Sequence, residues 1–322
     1  ILENVSEKGK PAFKDATNEI APALSNIGMV TDASWTDYDQ DGWVDLVVVG
    51  EWMPITILRN NRGSFEDITK KLDLDKSNGW WFSIAEADFD NDGDIDFILG
   101  NQGENGFVVP KEDKPVYVYN GDLDQNGSQD PVMGQYFNDP TKENLLLPVQ
   151  TRDDVVKQLV KLKDKYLTYD AFSKVSFTEL LSIEDLEKET LKATTFSSSY
   201  LENLGNQNFQ MSRLPNACQL APINDVLVKD FDQDGYLDVI MVGNDLTSET
   251  NYGLNDALIG VYLKGSEEGF QVIKNETSGF YVPGQSHHVV SLQSIKGADL
   301  IFASQNSNTP KVFSFNQNKS GR

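Results

Sequence analysis

Asp37-Tyr38-Asp39-Gln40-Asp41-Gly42-Trp43-Val44-Asp45 carries an aspartate at positions one, three, five and nine and a glycine at position six. The pattern returns as Asp88-Phe89-Asp90-Asn91-Asp92-Gly93-Asp94-Ile95-Asp96 and as Asp122-Leu123-Asp124-Gln125-Asn126-Gly127-Ser128-Gln129-Asp130. Its fourth copy is Asp230-Phe231-Asp232-Gln233-Asp234-Gly235-Tyr236-Leu237-Asp238. Hard oxygen donors at this spacing, around a tight turn that glycine enters easily, are what Ca²⁺ asks for. Each expected site draws side chains from positions one, three, five and nine. Position seven (Trp43, Asp94, Ser128, Tyr236) supplies only its backbone carbonyl, so its side chain is free to vary. Up to four Ca²⁺ ions are implied. Asn126 replaces a carboxylate in the third loop, which is expected to hold its ion most weakly. The bland alternative is a set of acidic turns that bind nothing.

An EF-hand would put a bidentate Glu at position twelve and a helix on either side. Position twelve here is Val48, Leu99, Met133 and Met241. The flanks are β-like: Val44 to Val49, Ile95 to Leu99 and Leu237 to Val242 follow three of the loops. Ala33-Ser34-Trp35, Ser83-Ile84-Ala85 and Val226-Leu227-Val228 precede them. Each unit therefore reads as strand, loop, strand, a hairpin whose turn is closed by a metal.

Around the hairpins a longer unit repeats. Ile55-Thr56-Ile57-Leu58 reads as a third strand and Gly63-Ser64-Phe65-Glu66-Asp67-Ile68-Thr69 as a turn and short fourth strand. The same ending recurs at Asn203 to Phe209, at Gly269-Phe270-Gln271-Val272, and at Ala12-Phe13-Lys14-Asp15-Ala16-Thr17. Loop starts lie 51, 34 and 108 residues apart. With an insert taken out of the last interval, the period is about 50, the range of a four-stranded propeller blade. A loopless unit from Val289 to Phe315 adds strands at Ala298 to Ala303 and Lys311 to Phe315. The fold class is all-β: a β-propeller of four-stranded blades, five of them detectable and up to seven possible, in one domain over residues 1–322. Residues 151–195 break the pattern. Val155, Val156, Leu159, Val160 and Leu162 recur at helical spacing behind a Thr151/Asp154 cap. Ser176 and Glu179 open a second helix through Leu180, Leu181, Leu186 and Leu191, with Glu184 and Lys188 on a solvated face. This segment is expected to be a helical insertion within a blade.

With 50 Asp and Glu against 27 Lys and Arg, the formal net charge is −23. Such a surface repels nucleic acid and anionic membranes. Cys218 is alone, which excludes a disulfide within the chain and leaves metal as the available staple. No run of eighteen apolar residues is present, so no membrane-spanning helix is expected. The chain opens at Ile1 without an initiator Met and reads as a piece of a longer protein, with that protein's other domains as neighbours.

The loops, their flanking strands and the G-x-F-x-D-[IV]-T endings resemble the FG-GAP/VCBS repeats of integrin α-subunit-like propellers. Trp35-Thr36-Asp37, Gly50-Glu51-Trp52-Met53-Pro54, Gly79-Trp80-Trp81 and the insert opening Arg152-Asp153-Asp154 are similar to large bacterial surface proteins that combine these repeats with ASPIC/UnbV segments. The resemblance covers nearly the whole chain. It implies a calcium-bearing β-propeller outside the cytoplasm, on a bacterial outer surface or in the periplasm, acting in adhesion or ligand binding. The blade count departs from the seven of integrins.

Catalysis finds little support in the residues. His287 and His288 are the only imidazoles, and adjacent residues of a strand point to opposite faces. No nucleophile elbow, HExxH, phosphate loop or dinucleotide fingerprint occurs. A polysaccharide lyase or hydrolase on a propeller scaffold and a structural spacer remain the alternatives to a binding module. In each blade the loop joins strands one and two, so the end of strand two and the entry to strand one lie on the opposite face. Glu51, Trp52, Trp80, Trp81, Gln102, Asn244, Asp245, His287 and His288 fall there. Planar aromatics beside amides and carboxylates suit a glycan or a protein partner on the face away from calcium.

Overall fold

The computed structural model describes residues 1–137, 145–181, 190–248, 252–293 and 299–314. The chain is built from antiparallel strands, opening with the hairpin of β1 (Leu2–Asn4) and β2 (Phe13–Asp15). Sheet I holds β3 (Met29–Thr36), β4 (Asp45–Met53), β5 (Thr56–Asn61) and β6 (Ser64–Asp67) in that order, with the short β7 (Gly79–Trp80) added beside β4. Next come β8 (Ser83–Ala87), β9 (Asp96–Gly100), β10 (Val116–Tyr119), β11 (Val132–Phe137), β12 (Leu145–Pro148), β13 (Thr190–Ala193), β14 (Ser199–Asn203) and β15 (Phe209–Arg213). Sheet II has the order β8-β9-β14-β15, so β9 hands directly to β14. Sheet III is β16 (Ile223–Lys229), β17 (Asp238–Gly243), β18 (Val261–Lys264) and β19 (Gln271–Ile273). Sheet IV is β20 (Val289–Gln293), β21 (Asp299–Ala303) and β22 (Lys311–Ser314).

The strands expected around the first, second and fourth loops are present, as are the third and fourth strands read from Ile55 to Thr69. Their second strands, β4, β9 and β17, are the apolar runs, and they are buried on both faces. Val47, Val49, Phe97, Ile98, Leu99, Val239 and Met241 are all inaccessible, so neighbouring sheets pack through them. Burial of each such side chain contributes about 1.5–3 kcal/mol.

Successive sheets meet through their first strands: β3 against β8, β8 against β16, β16 against β20. Side chains stitch these contacts. Asp32 accepts from the Ile84 amide (3.0 Å), the Ser83 hydroxyl donates to the Ile223 carbonyl (2.9 Å), and Asp225 accepts from the Val289 amide (2.8 Å). Asp32 and Asp225 stand five residues before their loops, and each sits at a register shift in its own strand. Four blade-like sheets in series are therefore present, and no closed ring is found among the described residues.

The excursion from sheet II is longer than its helices. It leaves at Asn101 and returns at Ser198, and it carries a further four-stranded sheet, β12-β11-β10-β13. The third loop turns between β10 and β11 of this sheet, not within the series of four. Loops two and four are 142 residues apart, and the 98 residues of 101–198 account for the excess over the spacing of loops one and two. Within residues 151–195 the helix Arg152–Gln158 begins at Thr151, whose hydroxyl accepts from the Asp154 amide as its cap. Short helices follow at Leu162–Lys165, Tyr169–Phe172 and Phe177–Leu180. Leu191, expected at the end of a helix, lies in β13, where it pairs with Val118 of β10. Glu184, Leu186, Lys188, Ala298 and Phe315 lie outside the described residues.

Candidate metal loops and a polar pocket at the opposite strand ends

The four loops adopt one conformation. Position six is a glycine at φ 89° to 96°, and position four (Gln40, Asn91, Gln125, Gln233) is also left-handed, at φ 55° to 63°. An L-residue there costs about 1 kcal/mol, and glycine at six avoids paying it twice. The second carboxylate oxygen at position one accepts from the glycine amide at 2.8–3.1 Å. The side-chain oxygen at position five accepts from the amide at seven at 2.8–3.0 Å. These bonds turn the chain so that oxygens of Asp37, Asp39 and Asp41 come within 4.8 Å of one another. The same holds for Asp88, Asp90 and Asp92, and for Asp230, Asp232 and Asp234. In the third loop the trio is Asp122, Asp124 and Asp130, while Asn126 serves the turn.

Position nine does further work. Asp45, Asp96 and Asp238 are fully buried, and Asp130 is nearly so. Asp96 accepts from the Phe89 and Asn203 amides and from the Tyr200 hydroxyl (2.7 Å). Asp238 likewise accepts from the Phe231 and Gly265 amides and the Tyr262 hydroxyl. The residue thus ties position two of its own loop to the end of the third strand. Burial pushes Asp45 and Asp96 up to about 6 and raises Asp238 in the same direction. A buried carboxylate oxygen of loop two, Asp88 Oδ1, has no hydrogen-bond partner. An orphaned buried carboxylate oxygen is costly unless something positive meets it. The donor set, all oxygen and mostly anionic, fits a hard divalent cation. Of the aromatic residues at position seven, Trp43 is exposed and Tyr236 half-buried.

At the other end of the strands, Phe82, Gln102, Pro222, Asn224, Asn244, Asp245, Thr247, Gln285, His287 and His288 surround a pocket of about 350 Å³. They come from the entries to β8, β16 and β20 and from the exits of β9 and β17, so three sheets contribute. The structure thus brings together Gln102, Asn244, Asp245, His287 and His288. Glu51 belongs to the same face: burial, then the nearby Asp245, raise its pKa. His288 and His287 are both exposed, with His288 Nδ1 3.6 Å from Asp225 Oδ2 and the His287 ring 3.2 Å from the Gln285 amide.

Three of the expected ligand residues are placed otherwise. Trp81 is wholly buried in the core between sheets I and II, its indole N–H donating to the Ser77 carbonyl (3.0 Å). Its neighbour Trp80 faces the other way, as alternation requires. Trp80 and Trp52 join Phe196 in a half-buried aromatic cluster, with ring centroids 5.0 and 4.4 Å apart. Asn244 forms pocket wall, but its side chain is fully occupied: it donates to the Leu258 and Gly284 carbonyls and accepts from the Leu258 amide. Asn101 plays the equivalent part after β9. The repeated Gly100-Asn101 and Gly243-Asn244 pairs were the available sequence signal for these clamps. Arg59 and Lys264, which reach back onto loops one and four, carried no fixed spacing to find them by.

Residues 37–99 match the family model of the FG-GAP-like repeat. The match runs from loop one through β4 to β8, across loop two and into β9, so it takes in two of the acidic loops but not β3, the first strand of the first hairpin. No curated protein matches the chain. Among the described residues no helix is long and apolar enough to cross a membrane.

Proposed function

We propose that this chain is a calcium-stabilised, propeller-type binding module that works outside the cytoplasm, with a glycan or protein partner on the face away from the loops. The observation that carries the reading is the pocket at the loop-distal strand ends. Gln102, Asp245 and the His287–His288 pair arrive there from three separate connections, and their convergence follows from the sheet order rather than from sequence proximity. Amide, carboxylate and imidazole groups around a shallow polar cavity are suited to hydroxyl-rich or peptide ligands.

Calcium's part is structural. Loops one to four would hold it through Asp37, Asp39, Asp41 and Asp45, through Asp88, Asp90, Asp92 and Asp96, through Asp122, Asp124, Asn126 and Asp130, and through Asp230, Asp232, Asp234 and Asp238. The ion supplies positive charge to carboxylates that otherwise repel, and the orphaned oxygen of Asp88 supports this assignment. A ring of up to seven blades is the architecture that four sheets in series suggest. The FG-GAP-like match at 37–99 supports both the calcium and the extracellular setting.

The test is a glycan array followed by binding titrations of the Gln102→Ala and His287→Ala variants. Loss of a bound glycan or protein partner in both, with melting midpoints unchanged, is the expected result. A partner bound equally well by both variants places the site elsewhere, and turnover of a polysaccharide by the wild type would replace the binding reading with an enzymatic one.

A further inference from the structure

Loops one and four carry a cation of their own. Arg59, from β5, sets Nη2 2.9 Å from Asp41 Oδ2 in an aligned hydrogen bond, and Nε 2.7 Å from Asp39 Oδ2 in an unaligned, purely coulombic contact. Lys264, from β18, pairs with Asp232 and sits 2.8 Å from Asp234 Oδ2. Each basic residue therefore bridges positions three and five of its loop. Their carboxylate partners raise the pKa of both basic groups, so both are charged throughout the physiological range.

The two residues are structurally equivalent. Position ten of each loop pairs with the third strand: Leu46 with Leu58 in sheet I, and Val239 with Leu263 in sheet III. Arg59 and Lys264 are the next residues along. In sheet II the same pairing is Phe97 with Leu201, and the next residue is Glu202. Glu202 lines one groove together with Asp90 of loop two. Among the described residues no lysine or arginine pairs with Asp90 or Asp92.

We propose that Arg59 and Lys264 are resident counter-cations that set the calcium affinity of loops one and four, and that Glu202 sets loop two in the opposite sense. This rests on the calcium reading above. Calcium entering loop one or four must displace a basic side chain from two carboxylates, while at loop two it meets an additional negative charge. Loop two is then the tight, calcium-demanding site. Loops one and four fill at higher concentration and are braced by their own ion pairs below it.

Calcium titration by calorimetry, with Trp43 fluorescence reporting on loop one, tests this on the full chain and on Arg59→Gln, Lys264→Gln and Glu202→Lys. Arg59→Gln should tighten loop one, and Lys264→Gln loop four, by about two- to fivefold, the scale of one partly exposed ion pair. Glu202→Lys should weaken the tightest site by a similar factor. Isotherms that do not move in any variant, or weaker binding in Arg59→Gln, would overturn the proposal while leaving calcium binding itself intact. No calcium uptake by the wild type or any variant would overturn the calcium reading and this inference with it.

Discussion

Asn244→Ala is the substitution whose effect can be worked most fully from the structure. Asn244 is inaccessible, left-handed at φ 78°, and makes three side-chain hydrogen bonds at 2.7, 2.8 and 2.9 Å. They hold the Leu258 segment and the Gly284 segment, the chain's way into sheet IV, against the end of β17. Alanine removes all three bonds and strands the Leu258 amide and two carbonyls in a buried place. At about 1 kcal/mol per net bond plus the cost of unpaired groups, the loss is about 3–5 kcal/mol. Spread over 322 residues that corresponds to a fall in Tm of about 4–7 °C. Asn244→Gly loses the same bonds but not the left-handed backbone, and should be less destabilised than alanine by about 1 kcal/mol. Urea unfolding followed by tryptophan fluorescence measures both. An alanine variant within 0.5 kcal/mol of wild type, beyond the usual scatter of surface substitutions, would refute the clamp.

Other outcomes follow from single environments. Trp81→Ala empties a fully buried indole site and should cost about 3–5 kcal/mol, which a denaturant titration will read; a neutral effect would mean that the tryptophan is not the core residue described. Cys218 is inaccessible and burial pushes its thiol up to about 12, so a disulfide reagent should label it only as fast as the protein unfolds. Immediate labelling of native protein would contradict this. Glu51, raised above 4.5 by burial and then by Asp245, binds its proton more tightly in the folded state than in the unfolded chain. Its contribution to stability is thus complete below pH 4.5 and lost as the pH climbs through the folded value. Glu51→Gln should accordingly be more stable than wild type at pH 7 and equal to it near pH 4, as melts across that range will show.

The hairpins were legible because one ligand pattern fixes residue type at five of nine positions, and because Val47, Val49, Ile98, Leu99 and Met241 mark the strands behind it. The third and fourth strands were legible from the phenylalanine endings. What was not legible is long-range pairing. Nothing local tells that Phe97 pairs with Leu201 across 104 residues, so the third loop read as one more blade instead of as part of an inserted sheet. The same limit applies at the candidate site. Sequence placed Trp80 and Trp81 together on the ligand face; neighbours along a strand point apart, and which of them meets the core depends on the neighbouring sheet. Asp32 and Asp225 share a position relative to their loops, yet their bonds to Ile84 and Val289 are defined only once sheets are laid side by side.

The central claim is that the acidic loops are metal sites on which the fold depends. Elemental analysis of the chain dialysed in millimolar Ca²⁺, paired with calorimetric melts in Ca²⁺ and in excess EGTA, addresses it directly. At a hundred times its dissociation constant each bound ion adds about 2.7 kcal/mol, so even two filled loops should raise the midpoint by several degrees. The account predicts stoichiometric calcium, a midpoint that falls on chelation, and a loss of one ion from Asp41→Ala and from Asp234→Ala. Protein that retains no metal and melts at the same temperature with and without EGTA would contradict it.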